Sequence, residues 1–172
     1  LPGALRSMVC GEMVNPSERR AALHTALRAQ PDDEPGAPET VRSSVAAELA
    51  RMRAFATEVR TGSWMGATGQ RITDVINIGI GGSDAGPRLV CHALQDLADG
   101  PGVHFVSNVD GTVLARLLPR LDPSRTLAIV SSKSFSTRET LLNAASVRRW
   151  LSSAGIAGER LSRHMVVVSG KK

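Results

Sequence analysis

The sequence predicts an α/β fold, a parallel sheet flanked by helices and preceded by a helical N-terminal segment. Three observations carry this. From about residue 73 onward, short apolar runs alternate with helix-patterned segments. The runs are apolar throughout, as strands buried on both faces of a parallel sheet should be. Two of them end in turns rich in glycine or hydroxyls, Gly79-Ile-Gly-Gly-Ser-Asp84 and Ser132-Lys-Ser-Phe-Ser-Thr137. Both turns fall at the carboxyl edge, where such sheets bind ligands.

Residues 1–70 read as a peripheral helical segment. Asn15-Pro-Ser-Glu18 has the pattern of a helix start, with Asn15 as N-cap, Pro16 at the first helical position and Glu18 two residues on. Ala22, Leu23, Ala26 and Leu27 then share one helical face. Three prolines between Pro31 and Pro38 preclude a regular helix and mark a loop. Val41, Val45, Leu49, Met52, Phe55 and Val59 recur every three or four residues, an amphipathic helix. Gly62 and the Trp64–Gly69 stretch end it.

Residues 71–172 carry the sheet. Val75–Ile80, Val103–Ser107, Thr126–Ser131 and Met165–Val168 read as strands. Ala85–Leu97, Thr112–Leu118 and Thr137–Ser153 read as helices, the last stopped by Gly155. Arg160–His164 reads as a short helical turn. The chain holds no internal repeat and no low-complexity tract.

Composition narrows the function. At 172 residues and 42% hydrophobic content, one domain with an appendage is expected. No apolar run approaches the length of a membrane span, and no basic-then-apolar leader opens the chain. The first residue is Leu1 rather than Met, which points to a processed piece or a fragment. The net charge of +5 comes from scattered arginines, and only Lys133, Lys171 and Lys172 are lysines. With 3% aromatics and no tyrosine there is no stacking platform for nucleic acid. The excess charge reads as an Arg- and Ala-rich composition, with some benefit for attracting anionic substrates. Cys10 and Cys91 are single and distant, and His24, His92, His104 and His164 are dispersed. Neither set has metal-ligand spacing, so no metal is expected. Two unpaired thiols fit a reducing, cytoplasmic setting.

Each turn has a functional and a plain reading. In the first, Gly79, Gly81 and Gly82 allow positive φ and close backbone approach to a ligand. The helix that follows points N–H groups at an anion or polar sugar. The plain alternative is a tight turn that needs glycine for geometry alone. A dinucleotide fingerprint would need glycine where Asp84 stands. In the second turn, Ser132, Ser134, Ser136 and Thr137 precede a helix and form a neutral phosphate cradle. The alternative is a cap, for which Ser136 or Thr137 alone suffices. Lys133 either adds charge at the site or is solvated, and Glu139 either partners a catalytic group or lies on a solvated helix face. Asn108, Asp110 and Gly111 form an Asx-type turn, structural or ligand-facing. His24 and His92 read as packing or surface residues.

Three stretches together resemble the glucose-6-phosphate isomerase (phosphoglucose isomerase) family: Thr73–Pro87, His104–Gly111 and Ser132–Thr140. Gly3-Ala-Leu-Arg6, Asn15–Arg28 and Gly62-Ser-Trp64 are similar too, so the likeness covers nearly the whole chain. The resemblance implies a flavodoxin-like sugar-isomerase (SIS) domain over residues 71–172, cut short, and a cytoplasmic homodimeric enzyme of glycolysis and gluconeogenesis. It implies interconversion of glucose 6-phosphate and fructose 6-phosphate through a cis-enediol, without metal or cofactor. By motif, Gly82 and Ser83 contact substrate, and Ser132, Lys133, Ser134, Phe135, Ser136 and Thr137 form the phosphate loop. Ser134 and Ser136 stand where threonine is common, which keeps the hydroxyl. Arg138 replaces a usual glutamine.

The family's chain is far longer, and its carboxylate base lies in a second SIS domain, in a motif resembling E-S-N-G-K. The ring-opening histidine, the enediol-stabilising arginine and a late lysine lie there too. None of these motifs occurs here, so no catalytic residue is expected in this chain and it should be inactive by itself. The terminal Val167-Val-Ser-Gly-Lys-Lys172 also departs from the family pattern. Two other readings compete. One is a non-catalytic sugar-phosphate-binding regulatory module. The other is a nucleotide-binding domain with Asp110 reading a ribose.

Overall fold

The structure, a computed structural model, describes residues 2–29 and 36–170. The first five positions of the expected Pro31–Pro38 loop lie outside the described residues. The chain divides into two units, Leu1–Phe55 and Ala56–Lys172.

In the first unit, α1 (Pro2–Val9) and most of α2 (Glu39–Thr61) are helical. The helix expected to start at Asn15 does not form. Its cap does: Asn15 Oδ1 accepts from Ser17 Oγ at 2.8 Å and from the Glu18 amide at 3.2 Å. Arg19 then turns left-handed at φ 51°, and Arg20 pairs back onto Asn15 in an antiparallel bridge. The cap thus closes a loop instead of opening a helix. Leu23–Arg28 make a single turn, with the Leu27 amide bonded to the Leu23 carbonyl at 3.1 Å. In α2 the expected apolar face is half-buried at Val41, Val45, Leu49 and Phe55, Met52 is exposed, and Val59 is buried.

The second unit alternates as expected: β1 (Asp74–Ile78), α3 (Gly82–Ala93), β2 (Gly102–Val106), α4 (Gly111–Leu117), β3 (Thr126–Ser131), α5 (Arg138–Ser153) and β4 (Met165–Val168). The sheet is parallel throughout, in the order β2-β1-β3-β4. The central strands β1 and β3 are the most buried, and β2 and β4 expose residues at the edges. Strand alternation sorts the side chains. Ile76, Ile78, Val106, Ala128 and Val130 face one side, where Leu114 of α4 and Val147 and Leu151 of α5 join them in one core. Asn77, Phe105 and Ser131 face the other. There α3 lays the Arg88 guanidinium 4.9 Å from the Phe105 ring centre, and His92 meets the same ring edge-on.

Gly155 ends α5 as its sequence position suggests. It adopts φ 81°, its amide reaches the Ser152 carbonyl, and the Ile156 amide reaches Leu151, each at 3.0 Å. This paired pattern is a Schellman stop, and Ile156 and Leu151 both enter the core.

His164 fastens the other end of the sheet. It is fully buried; its Nε2 accepts from the Ala67 amide and its Nδ1 donates to the Thr126 carbonyl, both at 2.8 Å. Those partners set the neutral Nδ1–H tautomer. Gly66 must be glycine, because a Cβ there would lie 2.4 Å from the Ser124 carbonyl oxygen and 2.7 Å from the His164 ring. Trp64 adds an Nε1 bond to the Arg163 carbonyl. Among the described residues no helix is long and apolar enough to cross a membrane.

Candidate functional site

Strand order fixes where the two sequence-predicted turns go. β1 and β3 are hydrogen-bonded neighbours, with Ile78 opposite Val130. The chain leaves β1 toward β2 through α3, and β3 toward β4 through α5. Adjacent strands that send their connections opposite ways open a crevice beyond their carboxyl ends. The Gly79–Ser83 and Ser132–Thr137 turns leave those two strands and border that crevice.

The glycine turn is tight on its protein side and open on the other. A Cβ on Gly79 would lie 2.7 Å from the Ser83 carbonyl oxygen, so that position admits no side chain. Gly81 takes φ 60°. At Gly82, the first residue of α3, a Cβ would meet nothing within 4 Å, so packing within the chain does not require glycine there. Ser83 is half-buried, and Gly82 is exposed. Asp84, where a dinucleotide fingerprint would have glycine, is held by Arg88 at 2.8 Å.

The hydroxyl turn folds back on itself. Ser134 and Ser136 place their hydroxyls 2.7 Å apart, across a Phe135 held at φ 50°. A left-handed aromatic residue is strained and persists only when its surroundings hold it. Here the Phe135 amide bonds the Ser132 carbonyl at 3.3 Å, and the Lys133 carbonyl accepts from the Gly170 amide at 3.1 Å. Ser132 is buried, with its hydroxyl 3.5 Å from that of Thr137. Lys133 is exposed.

The helix ends differ in their capping. Thr137 sits at the N-cap of α5, yet its side chain makes no capping bond, and the Gly81 cap of α3 has no side chain to make one. In contrast, Asp110 does cap α4, its Oδ1 accepting from the Thr112 amide at 2.9 Å. That bond holds the Asp110 carboxyl below the usual carboxylate range. Asp110 is therefore a structural cap rather than a ribose reader. The turn that carries it is tied to α5 by the buried Asn143, whose Nδ2 donates to the Asn108 carbonyl at 2.9 Å. Asp122 is depressed in the same way, by the Ser124 hydroxyl and amide.

Two α-helices of 12 and 16 residues thus end, without side-chain caps, beside neighbouring central strands. Their positive dipole ends, the α5 N–H groups and the hydroxyls between suit one compact anion with a polar body attached, while at α3 the Ser83 and Asp84 amides already donate to the Ile80 and Gly81 carbonyls at 3.2 and 3.0 Å. Among the described residues no group of three or more His, Cys, Asp or Glu is placed to hold a metal ion. One residue that bears on the site is not singled out by sequence reasoning. Asn77 interrupts an apolar strand and is buried, bonded to Ser83 of the glycine turn and to Ser131 at the end of β3; a polar residue amid Val-Ile-x-Ile was the available signal.

Comparison with known proteins gives a consistent picture. A sequence model of the phosphoglucose isomerase family matches residues 2–172. The glucose-6-phosphate isomerase of Cupriavidus metallidurans is 57% identical over 176 residues, covering 98% of this chain and 32% of that protein. The one from Burkholderia mallei is 54% identical, covering 95% of this chain and 29% of its own. Among solved structures, a glucose-6-phosphate isomerase from Chlamydia trachomatis superposes with a TM-score of 0.77 at 28% identity, over 97% of this chain and 32% of its own. The chain therefore spans about a third of the length of these relatives. With the family match running over essentially all of its length, the chain belongs to the phosphoglucose isomerase family.

Proposed function

We propose that this chain is the sugar-phosphate-binding N-terminal portion of a glucose-6-phosphate isomerase, acting on glucose 6-phosphate and fructose 6-phosphate. The observation that carries the reading is the pair of helix N-termini without side-chain caps beside adjacent central strands. In this reading Ser132, Lys133, Ser134, Phe135, Ser136 and Thr137 wrap the phosphate. The hydroxyls and the α5 amides bind it largely without fixed charge, so affinity and release stay balanced. Gly82 and Ser83 meet the sugar, which the open side of the glycine turn admits. Residues 71–172 act as the first SIS domain, with residues 1–70 as its helical flank.

Isomerisation moves a proton between C1 and C2, which requires a base within hydrogen-bond reach of both carbons. The family resemblance assigns that base to a second SIS domain. The residues here bind and orient the open-chain sugar, and that positioning is itself a large part of such catalysis. The whole protein then works in the cytoplasm as a homodimer, with neither nucleic acid nor membrane as a partner.

An amide-resolved NMR titration of the 172-residue chain with fructose 6-phosphate tests this. Shifts should appear together at Gly79–Ser83 and Ser132–Thr137. Shifts confined to one turn, or centred on α4, would count against it.

A further inference from the structure

Asn77 is a buried amide in the middle of the most enclosed strand, 7% exposed among isoleucines and valines. Burying an amide is costly unless its hydrogen bonds are made. Here they are made to the glycine turn and to the last residue of β3, from which the hydroxyl turn departs. Its Nδ2 donates to the Ser83 carbonyl at 3.0 Å, and its Oδ1 accepts from the Ser131 hydroxyl at 3.3 Å.

The Ser83 carbonyl is open to Asn77 for a reason visible in the sequence. In an α-helix it would accept from the amide four residues on. That residue is Pro87, inside α3, which has no N–H to give. Proline at this position leaves a carbonyl in need of a donor, and Asn77 supplies one from the strand below. The same carbonyl is the atom against which Gly79 packs. One side chain therefore holds the glycine turn from beneath and reaches the last residue of β3, from which the hydroxyl turn departs.

We propose that Asn77 is a positioning residue that fixes the glycine turn and the hydroxyl turn relative to each other, with Pro87 as the residue that makes its bond obligatory. The functional half of this rests on the sugar-phosphate reading of the site. Asn77 need not touch the ligand. A ligand that spans both turns should feel its loss, whereas one held by the hydroxyl turn alone should not.

The test uses the 172-residue chain, Asn77→Leu, the smaller Asn77→Ser in case the first does not fold, Pro87→Ala, and the Asn77→Leu/Pro87→Ala double variant. Amide exchange is measured first. Loss of Asn77 should speed exchange at Ser83–Ala85 and at Ser132 and Phe135 together, with Ile76 and Val130 unchanged. Pro87→Ala gives Ser83 an N–H partner of its own, so the double variant should be less perturbed than Asn77→Leu alone, a coupling that general loosening does not produce. Titration follows. Fructose 6-phosphate affinity should fall about tenfold in Asn77→Leu, as for a lost buried hydrogen bond, while affinity for inorganic phosphate should change less than about twofold.

Faster exchange in the glycine turn only, or equally across the sheet, would overturn the bracing role. So would additive effects in the double variant. Equal affinity of wild type and variants for fructose 6-phosphate would overturn the positioning role. If wild type bound no fructose 6-phosphate while exchange stayed coupled, the sugar-phosphate reading would fail and the brace would stand.

Discussion

Replacing Thr137 with alanine separates the two roles open to a hydroxyl at the head of α5. If Thr137 capped the helix, its loss would cost about 1 kcal/mol of stability, the usual value for an N-cap hydroxyl. In the structure its side chain makes no capping bond, and its hydroxyl lies 3.5 Å from that of buried Ser132. The expected stability change is therefore within about 0.5 kcal/mol, that of a substitution away from such features. A hydrogen bond to a charged phosphate is worth about 1.5–3 kcal/mol. Fructose 6-phosphate should then bind roughly 10- to 150-fold more weakly. Thr137→Ser keeps the hydroxyl and should stay within about fivefold of wild type, since less than about 1 kcal/mol separates them. Calorimetric titration and urea unfolding of the same samples read both quantities. Earlier unfolding with unchanged affinity would make Thr137 a cap and remove it from the cradle.

Other expectations follow from the same geometry. Gly82→Ala should fold as well as wild type, because nothing in the chain lies near its Cβ, yet bind fructose 6-phosphate more weakly in titration. Gly79→Ala should fail on both counts, given the Ser83 carbonyl oxygen 2.7 Å from its Cβ. His164→Phe removes both ring nitrogens and leaves the Ala67 amide and Thr126 carbonyl without their partner. It should cost about 2–6 kcal/mol in urea unfolding, from two polar groups left unpaired at ~1–3 kcal/mol each. The Asp110 and Asp122 carboxyls are lowered by folding. Both therefore stabilise the native state above the ordinary carboxylate range and lose that contribution as pH falls through their depressed folded values. Asp110→Asn with Asp122→Asn should flatten the acid limb of stability against pH; an unchanged limb would show that other groups dominate it.

The sheet was legible because its signals are local. Thr126–Ser131 and Met165–Val168 are strands over the residues that their apolar runs suggest, and Gly155 stops α5 by a motif written within six residues. The two turns were legible because glycine and hydroxyl clusters need a reason at a strand end. What the sequence hid is long-range. His164 finds partners 97 and 38 residues away, so no window around it signals burial. The bond between Asn77 and Ser83 spans only six residues but needs the βα turn folded before proline and amide meet. Asn15 misled for the opposite reason: the local cap forms as written, and Arg19 ends it in a conformation that composition does not announce.

The central claim is that the two turns make one sugar-phosphate site. Isothermal titration of the 172-residue chain with fructose 6-phosphate, against unphosphorylated fructose and with folding verified on the same sample, tests it most directly. The account predicts saturable binding of fructose 6-phosphate and none of fructose. A folded chain that treats the two sugars alike would contradict it.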